Sequence, residues 1–341
     1  MPAVTQRCAL AALTAALLLL GVDTAVAGGI GSNGAQTEEA SGQASGPVLD
    51  SRVSFHVKGQ APVKESGPVT STAVDWEPPA CWYEPYWKAE DFKTYTEANW
   101  SIYESVGGAP AGIADDKARY KEGHPYKDFN VAKNDEGMWW VAVKNPKMKD
   151  DPDAGTCGRK PFWVDNGQNP DVPQAIDTET LAGLAHQRTV VPPTKVSLAP
   201  QARSTVNAPT WVWLDKGAFQ PVSVTASLPG TGLWATTTAK PVSLHIDAGT
   251  KDAETLPASG ECLINGDGSI GEPYARGKAE RTPPCGVRYL RSSGSGTYAL
   301  EATLTWEITW EGAGGTGGDL PDGTFATTTD VPVQEIQSVN R

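Results

Sequence analysis

The sequence predicts two regions of different fold class, a small Trp-rich α+β domain followed by an all-β sandwich. Three observations carry this. Seven of the twelve Trp fall between Trp76 and Trp163, in a stretch holding one helical and one strand pattern. The last 150 or so residues alternate apolar and polar side chains with the period of a β-strand. Four cysteines, Cys81, Cys157, Cys262 and Cys285, are distributed as one pair in each region.

The first 27 residues read as a secretory signal: Arg7, an apolar run from Cys8 to Val22, and the small-residue site Ala25-Val26-Ala27. The run is shorter than the ~20 residues of a membrane span, so cleavage leaving a chain that starts near Gly28, with no transmembrane anchor, is expected. Residues 28–72 are rich in Gly, Ser, Ala, Thr and Glu and read as a flexible low-complexity leader, with one short strand at "VSFHV".

Residues 73–170 form the predicted Trp-rich domain. Phe92, Tyr95, Asn99, Ile102, Tyr103 and Val106 recur at helical spacing and Gly107-Gly108 supplies a stop, which predicts a helix over roughly 87–106. "GMWWVAVKN" reads as a strand. Residues 171–194 read as a linker with a short helix from Asp177 to about His186, capped by the Asp177 carboxylate.

Residues 195–341 are the predicted sandwich. In "TYALEATLTWEITWE", Tyr298, Leu300, Ala302, Leu304, Trp306, Ile308 and Trp310 alternate with Thr, Glu and Ala, a period no helix has. "VSVTASL", "VSLHI" and "TWVWL" alternate similarly. With "GVRYL" and "TFATTTDVPVQEI" they make about seven strands, the count of an immunoglobulin-like sandwich. An exported chain favours disulfides over metal ligation, and no C-x-x-C supports zinc. Four cysteines allow three pairings. Cys81–Cys157 with Cys262–Cys285 is preferred because each bond then stays within one predicted domain.

The layout of signal, leader, Trp-rich segment, "APTWVWL" and a paired-cysteine β region ending "PVQEIQSVN" resembles uncharacterised secreted proteins of actinobacteria. Their C-terminal part is similar to polycystic-kidney-disease-type (PKD) or other immunoglobulin-like modules. The resemblance implies a surface spacer or interaction role and supplies no catalytic residue.

The net charge of −12 argues against nucleic acid as a partner, because phosphate binding needs a basic surface. Gly266, Gly268 and Gly271 spell G-x-G-x-x-G, but no βαβ unit surrounds them, and the pattern recurs at Gly29/Gly31/Gly34 and Gly312/Gly314/Gly317. The same stretch offers Asn265, Asp267 and Glu272 as a partial calcium-ligand set. In an EF-hand register Leu263 would stand first and Tyr274 twelfth, where carboxylates belong, so a Gly-rich turn is the reading preferred and no cofactor is assigned. "LPGTG", Leu228 to Gly232, matches a sortase sorting sequence, but β pattern follows it and a hairpin turn is expected. His56, His124, His186 and His245 are scattered and assign no catalytic residue.

The best functional lead is the group Trp76, Trp82, Tyr83, Tyr86 and Trp87, because aromatic rings with polar tips stack on sugars. Packing in a small stapled core is the competing reading. The expected function is a noncatalytic secreted interaction protein, extracellular or non-covalently wall-associated. Its expected partner is cell-wall glycan or an envelope protein, with residues 249–285 as a long recognition loop. The alternative is a secreted hydrolase acting on polysaccharide or cell wall.

Overall fold

The computed structural model describes residues 53–58, 67–68, 70–71, 79–217 and 219–336. The expected signal, most of the leader and Trp76 lie outside the described residues. In chain order the first elements are β1 (Ser54–Lys58), β2 (Gly67–Pro68) and β3 (Thr70–Ser71). Then come β4 (Cys81–Trp87), α1 (Ala89–Ser105), α2 (Pro110–Tyr120), β5 (Gly137–Lys144), β6 (Phe162–Asp165) and α3 (Thr178–Gln187). Four short strands follow: β7 (Val190–Val191), β8 (Ser197–Ala199), β9 (Ser204–Thr205) and β10 (Pro209–Leu214). The chain continues through β11 (Val222–Leu228), β12 (Leu233–Asp247), β13 (Ala253–Leu256), β14 (Glu261–Leu263) and β15 (Ile270–Gly271). It ends in β16 (Gly286–Tyr289), β17 (Tyr298–Gly312), β18 (Thr316–Val331) and β19 (Val333–Gln334).

The protein is mostly antiparallel β-sheet. A seven-stranded sheet runs β1-β11-β12-β17-β18-β3, with β14 also on β12, and a five-stranded sheet runs β13-β16-β10-β15, with β8 on β10. The alternation read in β11 and β17 is realised: Val222, Val224, Ala226 and Leu228 are buried, as are Leu300, Ala302, Leu304, Trp306 and Ile308. On the opposite face Thr225 and Thr236 share a hydroxyl hydrogen bond of 2.7 Å, and Ser223 and Thr238 one of 2.9 Å.

One face of the large sheet closes two cores. Toward one end, Leu244, Ile246, Leu304 and Trp306 pack against Val212, Leu214, Val287 and Tyr289 of the five-stranded sheet. Toward the other, Val224, Ala226, Leu233 and Ala235 pack against Leu181 and Ala185 of α3 and against Trp82, Trp140 and Phe162. Serving both demands length: β12 and β17 have 15 residues each, against about 5–6 in a common strand. The ladder shifts register between Pro241 and Ser243 and between Trp306 and Ile308. Proline lacks the N–H a central strand must donate, and a bulge is where a sheet tolerates it.

The three-stranded sheet β4-β5-β6 divides the second core from a third. Successive strand residues point to opposite faces, so the Trp139-Trp140 doublet sends one ring to each side. Trp140 joins the core under the large sheet, while Trp139 joins Phe92, Trp100, Ile113, Tyr120 and Phe129 beneath α1 and α2.

The helix expected over 87–106 is α1, and α3 starts as expected with the Asp177 carboxylate accepting the Thr180 N–H at 2.8 Å. Helix α2 was not foreseen, because "PAGIADDKARY" buries only Ile113, Asp116 and Tyr120 and carries little apolar periodicity. Residues 171–194, read as a linker, supply a buried helix with Leu181, Ala182, Leu184 and Ala185 in the core. The span 249–285, read as one long loop, contains β13, β14 and β15, which pair with strands of both sheets. The cysteines pair as preferred, Cys81 with Cys157 and Cys262 with Cys285, the second bond joining β14 of the large sheet to the residue before β16 of the other.

Among the described residues, no helix is long and apolar enough to cross a membrane.

Candidate functional site

The aromatic group singled out above divides into two environments. Trp82 and Tyr83 are 2% and 4% exposed, so their rings are not an open stacking platform, a correction to the reading of these two residues. The reason is that β4 is covered on both faces. Its Tyr83 hydroxyl accepts the Arg159 backbone N–H at 2.9 Å, and the Trp82 indole N–H donates to the buried Glu84 carboxylate at 2.8 Å. Tyr86 and Trp87, at the end of β4, are half-buried. Trp87 stacks on Tyr95 of α1, ring centres 4.8 Å apart, and meets Tyr86 edge-on at 4.4 Å.

Beside Trp82 opens a cleft of about 220 Å³, lined by Pro79, Trp82, Gln174, Ala175, Ile176, Asp177 and Thr180. Residues 174–176 meet β4 through a single parallel β-bridge between Ala175 and Tyr83. The Tyr83 N–H donates to the Gln174 carbonyl and the Ile176 N–H donates to the Tyr83 carbonyl, each at 3.0 Å. Gln174 takes the left-handed conformation, φ 66°, uncommon for a residue with a side chain. The chain then turns through Asp177 into α3. One Asp177 oxygen caps the helix, and no further hydrogen-bond or ion-pair partner of this carboxylate is present among the described residues. The cleft therefore brings a carboxylate acceptor, the Thr180 hydroxyl and the Gln174 amide beside Pro79 and the enclosed edges of Trp82 and Ile176. Sequence reading identified Trp82 and gave Asp177 only a capping role. Gln174, Ile176 and Thr180 were missed, since nothing local reports the pairing of 174–176 with β4.

The other candidates resolve into turns and scaffold. Asp267 accepts from the Ser269 N–H at 3.0 Å and the Ser269 hydroxyl at 2.6 Å, bonds that hold its carboxyl below the usual range. Asn265 donates its amide to the Gly271 carbonyl at 2.7 Å, and Glu272 pairs with Lys278. Gly268 has φ 84° and Gly271 φ 68°, and a β-carbon on Gly271 would lie 2.3 Å from the Val212 carbonyl oxygen. The glycines of this motif thus serve a tight turn and a close backbone approach. Among the described residues no group of three or more His, Cys, Asp or Glu is arranged to hold a metal.

"LPGTG" is the turn joining β11 to β12. Thr231 is 4% exposed, its hydroxyl donates to the Leu228 carbonyl at 2.8 Å, and its carbonyl accepts the Gly167 N–H at 2.7 Å. The Thr-Gly bond a sortase would attack is packed against the 165–168 loop. His56, His124, His186 and His245 stand on β1, the 121–127 turn, α3 and β12 respectively, and His245 pairs with Glu261 at 2.8 Å.

Beneath α1 and α2 the Asp116 carboxylate is buried. Burial pushes its pKa up, against the opposing pull of Lys160 at 2.9 Å. Tyr120 beside it is raised well above the ordinary phenol range, mainly by burial. These groups are enclosed by the third core and face no cavity described above.

No family model, curated protein or solved structure matches the chain.

Proposed function

We propose that this is a noncatalytic extracellular or envelope-associated interaction protein that binds a neutral cell-wall glycan in the Trp82–Asp177 cleft. The observation that carries the reading is a cleft beside the enclosed Trp82 that ends in a carboxylate with an uncommitted oxygen. A sugar presents hydroxyl groups, and the second Asp177 oxygen, the Thr180 hydroxyl and the Gln174 amide in the same lining are polar partners for them. The carboxylate stands at the start of α3, where the helix dipole favours negative charge. Hydrolysis of a glycoside ordinarily requires two carboxylates flanking the bond. The described lining holds Asp177 alone, and the Glu84 carboxylate is turned to the Trp82 indole. Binding is therefore preferred over a polysaccharide hydrolase.

The two disulfides fit an oxidising compartment. In the same proposal the two facing sheets are read as an immunoglobulin-like sandwich whose inter-sheet bond is Cys262–Cys285. The likeness to secreted actinobacterial proteins with PKD-type modules belongs to this reading.

Asp177→Asn tests it, because Asn caps a helix about as well as Asp but replaces the free acceptor oxygen by an amide NH2 donor. The measurement is co-sedimentation with purified Gram-positive sacculi. Binding by the wild type, weakened about tenfold or more in the variant at unchanged thermal stability, supports the cleft. Equal binding by both removes the cleft from the account, and a wild type that stays in the supernatant removes the glycan.

A further inference from the structure

The lining of the Trp82–Asp177 cleft is anchored by two different means. On the α3 side Ile176 and Thr178 are buried, the Thr178 N–H donates to Asn169 Oδ1 at 3.1 Å, and the Asn169 amide donates to the Thr178 hydroxyl at 2.9 Å. Leu181, Ala182 and Ala185 then fix the helix in the core, so Asp177 and Thr180 stand on a rigid element. Gln174 has no such support. It is exposed, its backbone is left-handed at φ 66°, and the pairing beside it is the single bridge to β4. A residue with a side chain keeps that conformation only where its surroundings hold it there.

The surroundings that hold it belong to the Cys81–Cys157 disulfide. The Gln174 amide donates to Thr156 Oγ1 at 3.2 Å, and Gln174 Oε1 lies 3.4 Å from Cys157 Sγ. Thr156 is seated against the same bond: its Oγ1 lies 3.4 Å from Cys81 Sγ and donates to the Asp153 carbonyl at 2.7 Å. Among the described residues, 152–160 pair with no strand. This segment is tied to β4 by the disulfide and by the Arg159 N–H on the Tyr83 hydroxyl.

We propose that the Cys81–Cys157 bond completes the cleft, so that the chain binds its ligand only once oxidised. This regulation rests on the cleft being the binding site. As the S–S bond forms, the two thiols give up two protons and two electrons to a disulfide donor, which leaves as a dithiol. Thr156 is thereby brought against Gln174, and the weakly anchored side of the lining is fixed. In the reduced chain the α3 side is formed but Gln174 is released from its left-handed turn. Cys81 and Cys157 are 1% and 0% exposed, so the bond, once made, is shielded from thiol exchange and the step works as a latch. Cys262–Cys285 touches none of the lining and supplies a control within the same molecule.

Hydrogen exchange read by mass spectrometry, together with co-sedimentation on Gram-positive sacculi, tests this on the chain from Gly28 onward. In Cys81→Ser/Cys157→Ser, exchange over residues 172–176 should quicken at least about tenfold while α3 keeps its protection, and binding should fall at least about tenfold. Cys262→Ser/Cys285→Ser should bind as the wild type does. Thr156→Val keeps both disulfides and removes the hydroxyl that Gln174 meets. It should weaken binding with melting little changed, Thr156→Ser should restore it, and this pair carries the test alone where the Cys81 variant does not fold. Exchange over 172–176 that is unchanged in both variants, or matched by equal quickening in α3, overturns the coupling. So does a wild-type level of binding in both, or an equal loss in Cys262→Ser/Cys285→Ser. A wild type that stays in the supernatant overturns the glycan reading itself.

Discussion

The two ends of the long sheet are buried by different means. At one end aliphatic residues at every second position of β12 and β17 meet a second sheet, and the joint is crossed by Cys262–Cys285. At the other, the same strands meet α3 and a layer of large rings, and beyond that layer a third core is almost wholly aromatic. The first end relies on a repeated pattern that many similar side chains satisfy. The second relies on individual rings, each touching several others: Trp139 lies within 6 Å of Phe92, Tyr120, Tyr126 and Trp163, centre to centre. Redundancy differs accordingly, and a single truncation should be felt more keenly among the rings.

The largest test of that contrast is Trp139→Ala, which should cost about 3–5 kcal/mol, against about 2–4 for Leu304→Ala in the aliphatic core. Urea unfolding followed by both tryptophan fluorescence and far-UV circular dichroism reads it. If the two ends unfold as one unit the two probes stay coincident in either variant, and separate transitions would break the comparison. Next in size, replacing Cys262 and Cys285 together by Ser should lower stability by about 3 kcal/mol for a sequence separation of 23 residues. The same replacement at Cys81 and Cys157, separated by 76, should cost about 4. A reversed order would mean that the sheet–sheet joint depends on its bond more than the ring-packed end does.

A smaller effect is expected at α3, the element shared by the large sheet and the rings. Asp177→Ala should destabilise by about 1 kcal/mol through loss of the cap, while Asp177→Asn should change stability by only a few tenths. Thermal melts of the two variants separate capping from the ligand role proposed for the second oxygen. The smallest effect concerns His186 on the same helix, whose pKa burial lowers from 6.5. The unfolded chain then takes up the proton first, so stability present above pH 6.5 is lost as pH falls toward the folded-state value. His186→Gln should flatten the fall in melting temperature between about pH 7 and about pH 5. An unchanged slope would assign the acid sensitivity elsewhere.

What the sequence disclosed follows the same divide. The period of two in β11 and β17, the helix ending at Gly107-Gly108 and the Asp177 cap are local signals, and each is present in the fold. The cysteine pairing was legible because it kept each bond local to one region. Ring placement was not, because Trp82 and Trp87 are chemically alike in a linear text, and only the layers on either side of β4 decide which is enclosed. The 249–285 span failed for a related reason: β13, β14 and β15 are two to four residues long, too short to show a period before their partners are known. The cleft was half visible, its Trp wall in the aromatic cluster and its acceptor disguised as a cap.

The length of β12 and β17 has a consequence for modularity. A gene divided before residue 195 would separate two recognisable compositions, yet it would leave Val224, Ala226, Leu228, Leu233 and Ala235 facing water, stripped of α3 and the rings that cover them. The C-terminal half is therefore not a bead that recombination can move between chains unchanged. Inheritance must carry both halves together, because β12 and β17 each supply side chains to both cores.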